Sequence, residues 1–296
     1  MPYREITLTV PPEAFDAVAH FLTTHVGGIA VDDEAMARLR VYLPIEEGLA
    51  SRLAALRAEL RRLAAYFPGM DAVGWTEGTV NESDWAQAWR AHFRPVRLGR
   101  RLVVSPTWEE PRTFPGELLL RLDPGMAFGT GAHASTALCL RAAEVLAARG
   151  GHALDVGTGS GILAVAQALL GAARVTAVDV DPVAVRVAKD NVGANAVEDR
   201  VEVRYATLAD ALAGGCPPAA WALANLTADV LEAIAPDLWR GLLPGGLVVA
   251  SGIVDAGRER VARAFAATGL RLVRTERLQG WTALWAVRPA GAVARA

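Results

Sequence analysis

The chain has 296 residues and a formal net charge of −2, long enough for two domains and a sizeable core, with no global basic field to argue for nucleic acid. Its two cysteines, Cys139 and Cys216, stand far apart and imply neither a disulfide framework nor a zinc site. Met1-Pro2-Tyr3-Arg4-Glu5 lacks the apolar core of a signal peptide, and no apolar run reaches the ~20 residues that span a bilayer, so the expectation is a cytoplasmic protein with no membrane partner.

The first eighty residues read as β-α-β-β-α-β. Tyr3–Val10 alternates apolar and polar residues as a half-buried strand does. Pro11-Pro12 stops it and opens a helix to about Thr24. Gly27-Gly28 turns into a short strand, Ile29–Val31, and Arg38–Leu43 is an alternating strand ended by Pro44. Leu49, Leu53, Leu56, Leu60 and Leu63 recur at helical spacing, with Arg52, Arg57, Arg61 and Arg62 mostly on the other face. Such charges are read first as a solvated face. Pro68-Gly69 ends the helix and Gly74–Val80 forms a last strand. The order is that of a ferredoxin-like split βαβ unit. It divides the chain into a domain over 1–75, a linker over 76–100 and a second domain over 101–296.

Asn81–Trp89 is polar and aromatic and begins the connection, with Trp85, Trp89 and Phe93 as packing anchors. Leu102–Val104 and Leu118–Leu122 read as short strands, and a helix runs from Leu138 to about Ala148. Strands then alternate with helices: Ala153–Val156, Val175–Val180, Val201–Tyr205, Trp221–Leu226 and Leu247–Ser251 against Ile162–Leu170, a helix opened by Asp181-Pro182, Asp229–Leu238 and Ala256–Ala267. Leu270–Leu278 and Thr282–Val287 close the chain as a strand pair. This alternation implies an α/β fold with a mainly parallel sheet, its ligand beyond the carboxyl ends of the strands.

Three segments should meet there. The first is Asp155-Val156-Gly157-Thr158-Gly159-Ser160-Gly161, followed by Asp179 at the end of the next strand. A dinucleotide fingerprint places its third glycine where this chain has Ile162. The tighter G-x-G-x-G spacing suits a nucleoside ligand without a pyrophosphate, such as S-adenosylmethionine (SAM), and Asp179 is placed to accept from ribose hydroxyls. The second is the strand ending at Asn225, whose amide both accepts and donates and could equally be a helix cap. The third is the Gly-, Ser- and Thr-rich stretch from Leu122 to Thr136, either a lid or a surface loop, with His133 as a weak candidate base.

On these residues the chain resembles the PrmA family, the bacterial methyltransferases of large-subunit ribosomal protein eleven, over nearly its whole length. Asp84-Trp85 through Trp89, Phe93 and Pro95 are similar to the family's aromatic connecting region. Leu122-Asp123-Pro124-Gly125, Ala127-Phe128-Gly129-Thr130-Gly131 and His133 resemble its most distinctive signature, and Ala224-Asn225-Leu226 and Ser251-Gly252-Ile253 match further segments. The resemblance implies a Rossmann-like SAM-dependent methyltransferase sheet with a small N-terminal α+β ferredoxin-like domain. It also implies cofactor contacts at Thr136, Gly157, Asp179 and Asn225, and repeated methylation of lysine side-chain and N-terminal amines of the ribosomal protein; the further expectation is a monomer that needs no direct nucleic acid. The chain departs from the family at Ala134, where the family has proline, and at Leu226-Thr227, where it has Ile-Leu; these bear on loop stiffness and the acceptor pocket. No residue is singled out as a catalytic base and none as a metal ligand. The open alternatives are a SAM enzyme for another protein or small amine, an NAD-linked oxidoreductase, disfavoured by Ile162, and a non-catalytic ribosome- or RNA-binding module.

Overall fold

The computed structural model describes residues 2–11, 14, 15, 18, 22, 29–33, 38–45, 48–64, 67, 69, 70, 73–81, 94–123 and 133–291. It divides into two compact units, Met1–Arg94 and Pro95–Ala296. Trp85, Trp89, Phe93 and residues 124–132 lie outside the described residues.

In the first unit, strands β1 (Pro2–Thr9), β2 (Ile29–Asp33), β3 (Arg38–Pro44) and β4 (Gly74–Asn81) form an antiparallel sheet in the order β2-β3-β1-β4. Alternation along β1 and β3 sends Ile6, Leu8, Leu39, Val41 and Leu43 to one face. There they meet Leu56 and Leu60 of the Leu49–Leu63 helix and Ala14, Val18 and Leu22, which are also helical. This is the ferredoxin-like arrangement expected of the sequence. The arginine face is partly engaged: the Arg57 guanidinium lies 4.5 Å from the Trp75 ring centroid and donates to Glu77 at 2.8 Å, and Arg62 pairs with Glu59 at 2.9 Å.

The second unit is built on a seven-stranded sheet of β8 (His152–Val156), β9 (Arg174–Asp179), β10 (Val201–Tyr205), β11 (Ala219–Asn225), β12 (Leu242–Val254), β13 (Arg271–Leu278) and β14 (Trp281–Val287). Their order is β10-β9-β8-β11-β12-β14-β13, parallel from β10 through β12, with β14 antiparallel to both neighbours. The sheet is covered on both faces. Ala153 and Leu223 face the core that holds the helices Ala134–Leu146 and Ile162–Leu170. Leu154, Val156 and Ala224 face the core of the helices Ala228–Arg240 and Arg258–Thr268. Burial on both sides is why these strands read as continuous apolar runs. Strand order reverses between β8 and β11, and that crevice is where an open α/β sheet binds its ligand.

A smaller sheet, β5 (Val96–Leu98), β6 (Leu102–Pro106) and β7 (Leu118–Leu122), shares the first core through Leu98, Leu102, Leu120 and Leu122. The three-residue β5 and the Leu208–Ala213 helix had no sequence expectation, being too short to show a period. The helix expected from Leu138 begins at Ala134. Its first turn carries Ser135 and Thr136, which look loop-like in sequence yet are buried here. Strand β12 extends beyond Leu247–Ser251 at both ends despite Gly245 and Gly246.

Candidate functional site

The glycine loop leaves β8 at Val156 and is held in shape by its own backbone. The amides of Gly157 and Thr158 both donate to the Val178 carbonyl, at 2.9 and 3.0 Å. Gly157 has φ +72°, and a Cβ there would stand 2.3 Å from Leu226 Cδ2. Gly161 has φ +82°, and a Cβ would stand 3.0 Å from the Ala188 Cα. A side chain at either position would meet both a strained backbone and a neighbour.

Asp179 ends β9 beside this loop. Its Oδ2 accepts from the Gly159 amide at 2.9 Å and its Oδ1 from the Asp181 amide at 3.0 Å. Two backbone donors therefore fix the carboxylate while leaving acceptor capacity on each oxygen. Asp181 caps the Pro182–Ala194 helix by accepting from the Val183 amide at 2.7 Å, with Pro182 in the first turn. Val180 and Tyr205, at the ends of neighbouring strands, are exposed apolar groups next to Asp179.

Asp155, on β8 below the loop, is fully buried. Burial pushes its carboxyl up to about 7, against the pull of the Thr158 hydroxyl and the Ala164 amide, while neighbouring Asp179 pushes further upward. The Thr158 hydroxyl donates to Asp155 Oδ2 at 2.6 Å.

Asn225 closes β11 in register with Ser251 on β12. Its Nδ2 donates to Thr136 Oγ1 at 3.2 Å, while its Oδ1 is buried with no partner among the described residues. An orphan buried acceptor at a strand's carboxyl end is a site for a donor to fill. Thr136, itself fully buried, is presented by the first turn of the Ala134–Leu146 helix. His133 is the cap of that helix: its Nδ1 lies 3.3 Å from the Ser135 amide and 2.7 Å from Ser135 Oγ, and its ring packs edge-on against Trp281 with centroids 4.5 Å apart. The histidine's described contacts are those of a cap and a packing partner.

The four residues expected at the cofactor thus fall into two groups, Gly157 with Asp179 and Thr136 with Asn225, joined by Leu226 against the Gly157 Cα. Asn191 had no sequence expectation. It accepts from the Asp123 amide at 2.8 Å and donates to the carbonyls of Asp123 at 3.0 Å and Ser160 at 2.8 Å. It ties the end of β7 to the glycine loop. One turn on, Asn195 exchanges hydrogen bonds with the Arg121 backbone at 2.8 and 2.6 Å. The recurrence of asparagine at i and i+4 on the inner edge of a helix was the available signal.

Comparison with known proteins agrees with this geometry. A family model described as ribosomal protein L11 methyltransferase (PrmA) matches residues 2–289. Ribosomal protein L11 methyltransferase of Pelotomaculum thermopropionicum is 41% identical, with 96% of this chain and 98% of that protein covered. The protein of the same name from Symbiobacterium thermophilum is 42% identical, with 98% and 100% covered. The crystal structure of ribosomal protein L11 methylase from Lactobacillus delbrueckii subsp. bulgaricus is 31% identical, with a TM-score of 0.62 over 67% of this chain and all of that one. The chain belongs to the ribosomal protein L11 methyltransferase (PrmA) family of SAM-dependent protein methyltransferases.

Proposed function

We propose that this protein transfers methyl groups from SAM to lysine side-chain and N-terminal amines of ribosomal protein L11. The observation that carries the reading is the pair of fixed polar ends around the topological switch point: the Asp179 carboxylate held by two amides, and the Asn225 amide with its orphan Oδ1 held by Thr136. Family membership supplies the substrate.

In this reading Asp179 takes the ribose hydroxyls, Val180 and Tyr205 offer apolar surface to the base, and Gly157, with its positive φ and Leu226 packed on its Cα, sets the turn of the loop that the cofactor lies against. Asn225 and Thr136 hold the amino-acid end. The cofactor supplies an activated methyl group, so the protein's contribution is alignment. The acceptor must arrive as a neutral amine, from a reference pKa of about 10.4 for lysine or about 8 for an α-amine. No side chain is assigned as a dedicated base and no metal is invoked. The first unit is assigned to substrate recognition, with the connection to the second falling between β4 and β5. The enzyme is proposed to act as a cytoplasmic monomer that needs neither nucleic acid nor membrane. Among the described residues no helix is long and apolar enough to cross a bilayer. Methyl incorporation from labelled cofactor into purified ribosomal protein L11 tests the proposal.

A further inference from the structure

Asp155 is a buried carboxylate with no cation paired to it among the described residues. From β9 it faces Asp179, a second carboxylate, and from β11 its register partner is the apolar Leu223. The Ile162–Leu170 helix, which has no ionisable residue, offers only the Ala164 amide. From the Ala134–Leu146 helix comes Cys139, fully buried, its thiol raised by that burial and by Asp155, with Ser251 of β12 pulling the other way. Among the described residues the one side-chain donor in hydrogen-bonding geometry is the Thr158 hydroxyl, on Oδ2, and Oδ1 has none. Two carboxylates without a cation, at the root of a loop that shapes a cofactor site, form a place of negative potential whose natural complement is a positive ligand. SAM carries a sulfonium and an ammonium against a single carboxylate.

We infer that Asp155 is a proton-linked positioning residue of the cofactor site: SAM binds the form in which Asp155 is ionised and holds the Thr158 hydroxyl, and binding expels to solvent the proton this carboxyl carries otherwise. The inference rests on the cofactor reading above. Asp155 acts through Thr158 and the glycine loop, and through its charge, without touching the methyl group. The balance is one proton leaving the carboxyl as the cation enters.

The test is calorimetric titration of the full chain with SAM at pH 6 in two buffers of different ionisation enthalpy, with dissociation constants measured from pH 5.5 to 7. Throughout that window the cofactor's own amine, with a reference pKa of about 8, stays protonated. The wild type should release most of a proton per cofactor at pH 6 and bind about fifteenfold more weakly at pH 5.5 than at pH 7, the ratio of ionised fractions. Asp155→Asn, which keeps an acceptor for Thr158, should bind with neither proton release nor pH dependence. Wild-type binding with no proton release and a constant affinity overturns the inference, as does equal proton release by the variant. Because the wild-type measurement decides alone, a misfolded variant does not rescue it. Absence of SAM binding at every pH defeats the cofactor reading itself, and this inference with it.

Discussion

Asn225 Nδ2 donates to Thr136 Oγ1 at 3.2 Å across 89 positions of sequence, joining the end of β11 to the first turn of a helix that precedes the sheet. The bond orients the amide and leaves the buried Oδ1 with no partner among the described residues. Thr136→Val keeps the shape and removes the acceptor. It should raise the KM for SAM several-fold, and Asn225→Ala should raise it at least tenfold. A double-mutant cycle on SAM affinity should show coupling of about 0.5–2 kcal/mol between the two. Additive effects would mean the amide is oriented by something else.

Gly157 is required twice, by its positive φ and by Leu226. Gly157→Ala should lower stability by about 1–3 kcal/mol and abolish measurable SAM binding. Adding Leu226→Ala relieves the contact but not the backbone strain, so it should recover part of the stability and little of the binding. Thermal denaturation and a SAM titration of both variants check this.

Asn191 makes its hydrogen bonds from a buried position, to Asp123 at one end and Ser160 at the other. Asn191→Ala should cost about 2–3 kcal/mol, because it strands buried backbone groups. It should also weaken SAM binding, although the residue is not assigned a cofactor contact. Denaturant unfolding beside calorimetry separates the two effects.

The Asp155 carboxyl, raised to about 7 in the fold, binds a proton there that the unfolded chain has released. Its contribution therefore favours the fold most at low pH and is lost as pH rises from the unfolded value of about 3.9 through about 7. Between pH 5 and pH 8, cofactor-free wild type should lose more stability than Asp155→Asn. Denaturant midpoints at the two pH values measure this, and equal losses would contradict it.

The fold was largely legible because its signals are strong ones. Continuous apolar strands alternating with helices imply a covered parallel sheet, and Asp181-Pro182 reads directly as a helix start. Gly157 and Asp179 were visible because local spacing carries them. Asn225 stood out as the polar end of a buried strand, but its pairing with Thr136 at the cofactor was reached only through family resemblance, since no local pattern says that residues 89 apart will share a hydrogen bond. Ser135 and Thr136 made the helix seem to start late, because hydroxyls in a first turn resemble a loop when their buried partners are unseen. Asn191 and the Thr158–Asp155 bond were missed for the same reason: a buried polar residue is identified by its partner.

The most direct measurement of the account is incubation of the full chain with methyl-labelled SAM and purified ribosomal protein L11, followed by mass spectrometry of the modified peptides. The account predicts methyl groups on lysine side chains and on the N-terminal amine, with incorporation at limiting SAM reduced at least several-fold in Asn225→Ala. Unmodified ribosomal protein under conditions where SAM is bound, with methyl groups appearing on another protein or on a small amine, would contradict it.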